Sequence, residues 1–472
     1  MHDFNLVHSF RSRCRFFSGR LTRGMIVFIA TITQPAWAED LIAVYQTAVE
    51  NDPVIGAATA SFQADQERVP QARALLLPSI TARLTTTKNE QTYPGAADAF
   101  PDQYYNDHSW SAQLRQPVIN LSSWFTLGSA RSSVRASEHR LEAQRQDLIV
   151  RVLEAYLNIL RTRDRLDTTN SEVIAVGRQL EQVQQRFDVG LVAITDVLEA
   201  QAAYDSAVVR QIQAESDHDI SFETLSTLTG RSYDNLARLS DDLPIVDPNP
   251  REEEAWVTSA LQSNSGVQAA MDQLESARKN RRSRIATRVP TVEAVITHSD
   301  NTTGGINFFG VDNTETTLYA LEVSVPLIQG GAIRSQVKES SARIEEARQQ
   351  LLNQQLTVTR NTRSLFKSVV TDVARVQARL KAIKSSQSAL EATQTGYEVG
   401  TRNIVDVLQA QQRLYGSQFD YADSRYNYLL NLIRLKQTSG GLSETDLAEL
   451  NQFTDPTNPV ERVVSLRNSL SQ

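Results

Sequence analysis

The chain has 472 residues, 48 Lys and Arg against 55 Asp and Glu, and only 14 Pro and 19 Gly. That length exceeds one ordinary core, and stretches rich in Gln, Ala, Leu, Arg and Glu with few turn signals are the composition of long helices. The acidic balance argues against nucleic acid as a partner.

The first 38 residues read as a signal peptide. Arg11, Arg13, Arg15, Arg20 and Arg23 form a basic region, Met25 to Ile32 an apolar one, and Ala36-Trp37-Ala38 a small-x-small cleavage pattern. Glu39 then opens the mature chain, and Met25 is an alternative start. Removing residues 1–38 leaves 43 basic against 54 acidic residues, a net charge of −11. The only cysteine, Cys14, goes with the removed segment. The mature chain is therefore expected to have no disulfide, thiolate nucleophile, Cys-bound metal or N-terminal lipid anchor. Beyond that segment no apolar run approaches the roughly 20 residues of a membrane helix. A membrane span would have to be a β-barrel, because in lipid every backbone polar group must find a partner within the protein.

Leu41 to Leu77 has a helical pattern broken near Asn51-Asp52-Pro53, and Trp256 to Val289 repeats it with Asn264 in the place of Asn51. After Pro78 the period changes to two. Ile80, Ala82 and Leu84 alternate with polar residues, as do Trp110, Ala112 and Leu114 before Pro117. The second half does the same with Val292, Ala294 and Ile296 after Pro290, and with Tyr319, Leu321, Val323 and Val325 before Pro326. Four strands, each with one apolar and one polar face, carry the alternation of a membrane barrel, although a soluble two-hairpin sheet with one wet face shares it. Lys88 to Asp107 and Ser299 to Glu315 read as polar loops at the far ends of two hairpins. Tyr93, Tyr104-Tyr105 and Phe308-Phe309 supply interfacial aromatics there. The smallest membrane barrels have about 8 strands, so a membrane reading forces oligomerisation.

Leu121 to Phe187 and Gly331 to Thr395 are proline-free helical tracts with apolar residues at heptad spacing. These are Leu141, Leu148, Val152 and Ile159 in the first, and Ile333, Val337, Ile344, Leu351, Val358 and Leu365 in the second. About 65 residues at roughly 1.5 Å each make a rod near 100 Å that must pack as coiled coil. Each rod ends in the same phrase. Arg186-Phe187-Asp188-Val189-Gly190 and Gly396-Tyr397-Glu398-Val399-Gly400 lie 210 residues apart, and each leads through Asp-Val-Leu into a returning helix. The chain thus reads as two tandem copies, 39–230 and 255–437, with tips at 187–196 and 397–406. Segments 231–254 and 438–472 fall outside the duplication, as connectors or a belt around the middle.

No catalytic or metal constellation is found: His108, His139, His218 and His298 are scattered, and no phosphate loop or nucleophile motif appears. Neither an enzyme nor a cofactor is expected. Gly190 and Gly400 suit left-handed residues closing a helix, and Asn403 with Asp406 suits a cap for the next. A bare turn does not need Tyr397 or Arg402.

The two glycine stretches, together with Ala422-Asp423-Ser424-Arg425-Tyr426-Asn427-Tyr428-Leu429, resemble the TolC family of outer-membrane channel proteins over nearly the whole mature chain. The resemblance implies a mainly α fold with a membrane β-barrel portion. A homotrimer would give four strands per chain to a 12-stranded barrel, continued by an α-helical tunnel through the periplasm. It implies a passive exit duct for drug efflux, type I protein secretion or both, joined at its tips by a periplasmic adaptor to an inner-membrane transporter of RND, ABC or MFS type. It further implies that Asp196 bonds Tyr397 and Gln185 bonds Arg402 to latch neighbouring hairpins. Asp406 from three chains would form an acidic ring at the entrance. Where the family pattern has a second ring aspartate this chain has Gln409, and 210 positions earlier, where the family is uncharged, it has Glu199, so either the inner ring is lost or its charge has moved to the other hairpin. A periplasmic coiled-coil scaffold without a pore is the alternative reading.

Overall fold

Proline and asparagine or aspartate punctuate this chain at the ends of its elements. The structure, a computed structural model, describes residues 38–94, 102–240, 242–305 and 312–463. The expected signal sequence through Trp37, Pro101, Phe308-Phe309 and the last nine residues lie outside the described residues.

The opening helical pattern resolves into α1 (Leu41–Asn51), α2 (Pro53–Gln66) and α3 (Arg68–Ala74). The break is a cap: Asp52 accepts from the Val54 N–H at 3.1 Å and Pro53 occupies the first turn. Two strands follow, β1 (Ser79–Gln91) and β2 (Gln103–Ile119), then a 68-residue helix α4 (Leu121–Asp188) and its return α5 (Ile194–Thr229). A short strand β3 (Asn235–Leu239) leads into the second half. There α6 (Glu253–Ser263) and α7 (Ser265–Ala286) precede β4 (Thr291–Thr303) and β5 (Asn313–Ser324), then α8 (Ala332–Glu398) and α9 (Ile404–Thr438). The chain closes with α10 (Glu444–Asn451) and β6 (Thr454–Glu461). In this half Asn264 caps α7, so its counterpart in the first half is Asp52 and not Asn51.

The strands run further than their apolar alternation. β1 continues to Gln91 and β2 begins at Gln103, inside the segment expected as loop, and β4 and β5 likewise reach Thr303 and Asn313. The extra rungs are rich in Thr and Asn, with no apolar period to betray them. Backbone pairing and β-branched threonines carry the hairpins on regardless.

The four long strands form one antiparallel sheet in the order β1-β2-β4-β5, so that β2 and β4 join the two halves. Its register stacks the apolar residues on one face: Ile80 opposes Leu114, Leu84 opposes Trp110, Leu114 opposes Ile296, and Ile296 opposes Tyr319. The other face is polar, with Arg115 reaching Glu293 at 2.6 Å and Glu322 at 3.4 Å. A one-residue slip would invert both faces, so the register is specified wherever one face meets an apolar phase. Among the described residues β1 and β5 have no partner on their outer edges, and both strands are exposed almost throughout.

The main core lies where α1, α4, α5 and α9 cross, around Leu148, Tyr156, Ile159, Phe222, Tyr428 and Leu429. β3 and β6 pair beside it, the Tyr156 hydroxyl donates to the Ala237 carbonyl, and Arg425 reaches the Ser240 carbonyl at 2.8 Å. His218 of α5 is fully buried there, and its Nε2 donates to the Glu461 carbonyl at 3.1 Å. Burial is the main reason its pKa is lowered, and the neighbouring Arg163 charge adds to that, against the Glu461 hydrogen bond. The first heptad row is buried within the chain, but in α8 only Val358 of the second row is. Among the described residues no helix is long and apolar enough to cross a membrane.

Candidate gate at the helical turns

Both long helices end in the same hydrogen-bonded turn. The Gly190 N–H donates to the Phe187 carbonyl at 2.8 Å and the Leu191 N–H to the Arg186 carbonyl at 2.9 Å. In the second copy Gly400 donates to Tyr397 at 3.2 Å and Thr401 to Gly396 at 2.8 Å. This is the Schellman pattern, which requires a left-handed residue just past the helix, and Gly190 and Gly400 sit at φ of 77° and 79°. No atom lies near a Cβ built on either glycine, so the backbone conformation alone selects glycine.

The return helices start differently. At α9, Asn403 accepts from the Asp406 N–H at 2.8 Å while Asp406 accepts from the Asn403 N–H at 3.4 Å, completing a capping box. At α5 the cap position is Ala193, which offers no side-chain acceptor, so Asp196 has no reciprocal cap to serve. Asp196 is half-buried with its carboxylate uncommitted to the turn.

The two tips share one core. Val183 and Val197 from the first hairpin pack with Tyr397, Ile404 and Val407 from the second, flanked by Phe187 and Val192. Tyr397 is 9% exposed, and the Arg186 guanidinium lies 5.0 Å from its ring centroid. Its hydroxyl is buried without a hydrogen-bond partner among the described residues. Arg402 is exposed, lays its stem over Gly396, and approaches Asp406 at 3.9 Å. Among the described residues neither an Asp196–Tyr397 nor a Gln185–Arg402 hydrogen bond forms inside one chain. Gln185 is exposed on the last turn of α4.

Glu199 and Gln409 line the same cavity of about 310 Å³ between α4, α5 and α9. Glu172 and Arg210 line it too, paired at 2.8 Å with Glu172 almost buried. That pair and Arg186 were not singled out from the sequence. Glu172 had a signal: Thr169, Glu172, Val176, Gln179 and Val183 follow one 3–4 row, so an acid stands where a coiled-coil core residue is due. Asp406 lies outside this cavity, at the start of α9. Among the described residues no group of three or more His, Cys, Asp or Glu is placed to hold a metal ion.

The comparisons with known proteins agree with this architecture. The family model for outer membrane efflux proteins matches residues 44–231 and again residues 256–441. The chain is 33% identical to the outer membrane protein TolC of Vibrio cholerae over 427 residues, 90% of this chain and 95% of that protein. It is 25% identical to the alkaline protease secretion protein AprF of Pseudomonas aeruginosa, over 89% of this chain and 88% of that one. Among solved structures, the outer membrane protein VceC of Vibrio cholerae superposes with a TM-score of 0.73 at 17% identity, covering 85% of this chain and 96% of that one.

Proposed function

This chain belongs to the outer membrane efflux protein family, and from that premise we propose that three copies assemble into one duct whose periplasmic mouth is gated at the paired helical turns. The protein is an outer-membrane channel for efflux, type I secretion or both, and it extends into the periplasm. The observation that carries the trimer is the sheet: four strands, one apolar face, one polar face and two bare edges. A bare edge is not tolerated in lipid, where each unpaired backbone group costs several kcal/mol. Four strands are too few to close on themselves, whereas β5 of one copy pairing with β1 of the next closes a 12-stranded barrel. The half-covered second heptad row of α8 supports the same assembly, since it too lacks a full partner in one chain.

In this reading Arg115, Glu293 and Glu322 face the lumen and the apolar face meets lipid. At the other end Asp196 with Tyr397, and Gln185 with Arg402, latch hairpins of adjoining chains in the closed state. Three copies of Asp406 form an acidic ring in the entrance. Glu199 supplies the charge that Gln409 lacks, because both residues border one cavity. The tips present Val189, Leu191 and Val399 to solvent, an apolar surface fit for a periplasmic adaptor that connects an inner-membrane transporter of RND, ABC or MFS type. The duct itself is passive, so the transporter provides the energy and selects what passes.

Fractionation tests the assembly. The expected result is a heat-resistant trimer in outer membranes that opens cation-preferring channels in planar bilayers. A soluble periplasmic pool without conductance would instead support a pore-free scaffold.

A further inference from the structure

The acidic mature chain is not acidic everywhere. Consider the four segments through which it passes between helix and sheet, residues 68–78, 118–135, 276–290 and 327–338. They hold two, two, six and two Lys or Arg respectively, and no Asp or Glu. The largest cluster is on α7 and just beyond it: Arg278, Lys279, Arg281, Arg282, Arg284 and Arg288, immediately before β4.

Half of this cluster is not absorbed by the fold. Ser283 and Ala286 form the buried side of the last turns of α7, with Ser283 Oγ 3.0 Å from Ser122 Oγ of α4. Arg278 and Lys279 lean back on Glu275, at 3.6 and 3.8 Å, and Arg281 donates to Ser341 of α8 at 3.0 Å. Arg282, Arg284 and Arg288 are exposed, and among the described residues none of the three makes an ion pair. Six like charges on some eleven residues repel one another; Glu275 answers only Arg278 and Lys279, and the three arginines without an ion pair are left to an anion from outside the chain.

The apolar neighbours say where that anion lies. Each crossing carries an exposed apolar residue, Leu77, Trp124, Val289 and Ile328, on the strand side of its cations or among them. Apolar side chains next to a one-sided apolar sheet, with arginines stepping back from it, is the order of groups met on leaving a bilayer: acyl chain, interface, headgroup phosphate.

We propose that these crossings form a basic collar that binds the phosphates of anionic phospholipids in the periplasm-facing leaflet, with Arg282, Arg284 and Arg288 as its principal ligands. The inference rests on the sheet lying in the membrane, as read above. The collar fixes the depth at which the barrel sits. Arginine suits the task, because its fork bonds two phosphate oxygens at once while its stem stays against the apolar boundary.

The test uses the full protein extracted from outer membranes and placed in nanodiscs of mixed phosphatidylethanolamine and phosphatidylglycerol. Lipid retained by the trimer is then counted by native mass spectrometry. Wild type is expected to retain phosphatidylglycerol over phosphatidylethanolamine, and R282Q/R284Q/R288Q to lose about tenfold or more of that enrichment, as befits three interfacial charges. The R282K/R284K/R288K variant should keep most of it, and rising salt should erase it in wild type. Equal enrichment in wild type and the glutamine variant, enrichment insensitive to salt, or enrichment removed by inorganic phosphate (a free-anion site) would each overturn the collar. Conductance of the same samples is read separately: its absence in wild type sinks the duct reading and leaves the lipid ratio to be judged alone.

Discussion

Tyr397 keeps its hydroxyl buried with nothing to bond among the described residues of its own chain. Leaving such a group unpaired costs about 1–3 kcal/mol, and in the proposed closed trimer a latch partner relieves that cost. Replacing Tyr397 by Phe together with Arg402 by Ser should therefore spare the folded chain and loosen the closed state. The expected result is a several-fold rise in single-channel conductance at unchanged trimer yield; wild-type conductance would refute the latch. Tyr397 and Arg402 stood out in the sequence because a Schellman turn needs neither. Arg186, whose guanidinium covers the Tyr397 ring, did not, since a stacking partner 211 positions away leaves no local signature.

At the scale of elements, two copies of one hairpin differ by a cap. Asn403 and Asp406 complete a capping box on α9, whereas Ala193 leaves the start of α5 without a side-chain cap. Asn403→Ala should cost about 1 kcal/mol, read as roughly fivefold faster amide exchange in the first turn of α9. Ala193→Asn should slow exchange in α5 by a similar factor. Identical exchange in wild type and both variants would mean the capping box contributes nothing. Helix bounds were legible to within a few residues: the expected 121–187 became Leu121–Asp188, and 331–395 became Ala332–Glu398. Long proline-free tracts closed by Val-Gly leave few alternatives. Strand bounds were not legible, because the Thr85-Thr86-Thr87 stretch of β1 has no apolar partner row, and a period of two shows only while one face is apolar. The joining of β2 to β4 was likewise invisible, since register between distant strands depends on tertiary context.

At the scale of the molecule, the segments leading into the sheet carry cations and no acids, and the proposed mouth holds Asp406. Three copies of Asp406 in a narrow entrance would attract cations and hold polyvalent ones, and Glu199 adds three more charges if the cavity opens on the pore. Asp406→Ala and Glu199→Ala should each weaken polyvalent-cation block by about tenfold, the scale of roughly 1.4 kcal/mol at a shared anionic site. Block unchanged in both variants would sink the acidic mouth. The sheet has a further consequence, for time rather than for charge. Asp107 pairs with Thr303, 196 residues later, and Ile119 with Val292, 173 later. The first hairpin therefore cannot complete its sheet until the second half of the chain has crossed the inner membrane, and in the proposed trimer the finished sheet still waits for two other copies. Through that interval long ladders of unpaired N–H and C=O groups stand open in an aqueous compartment, a template for wrong pairing. In the proposed assembly the strand order that builds the wall thus also sets how long each protomer's sheet edges stay open.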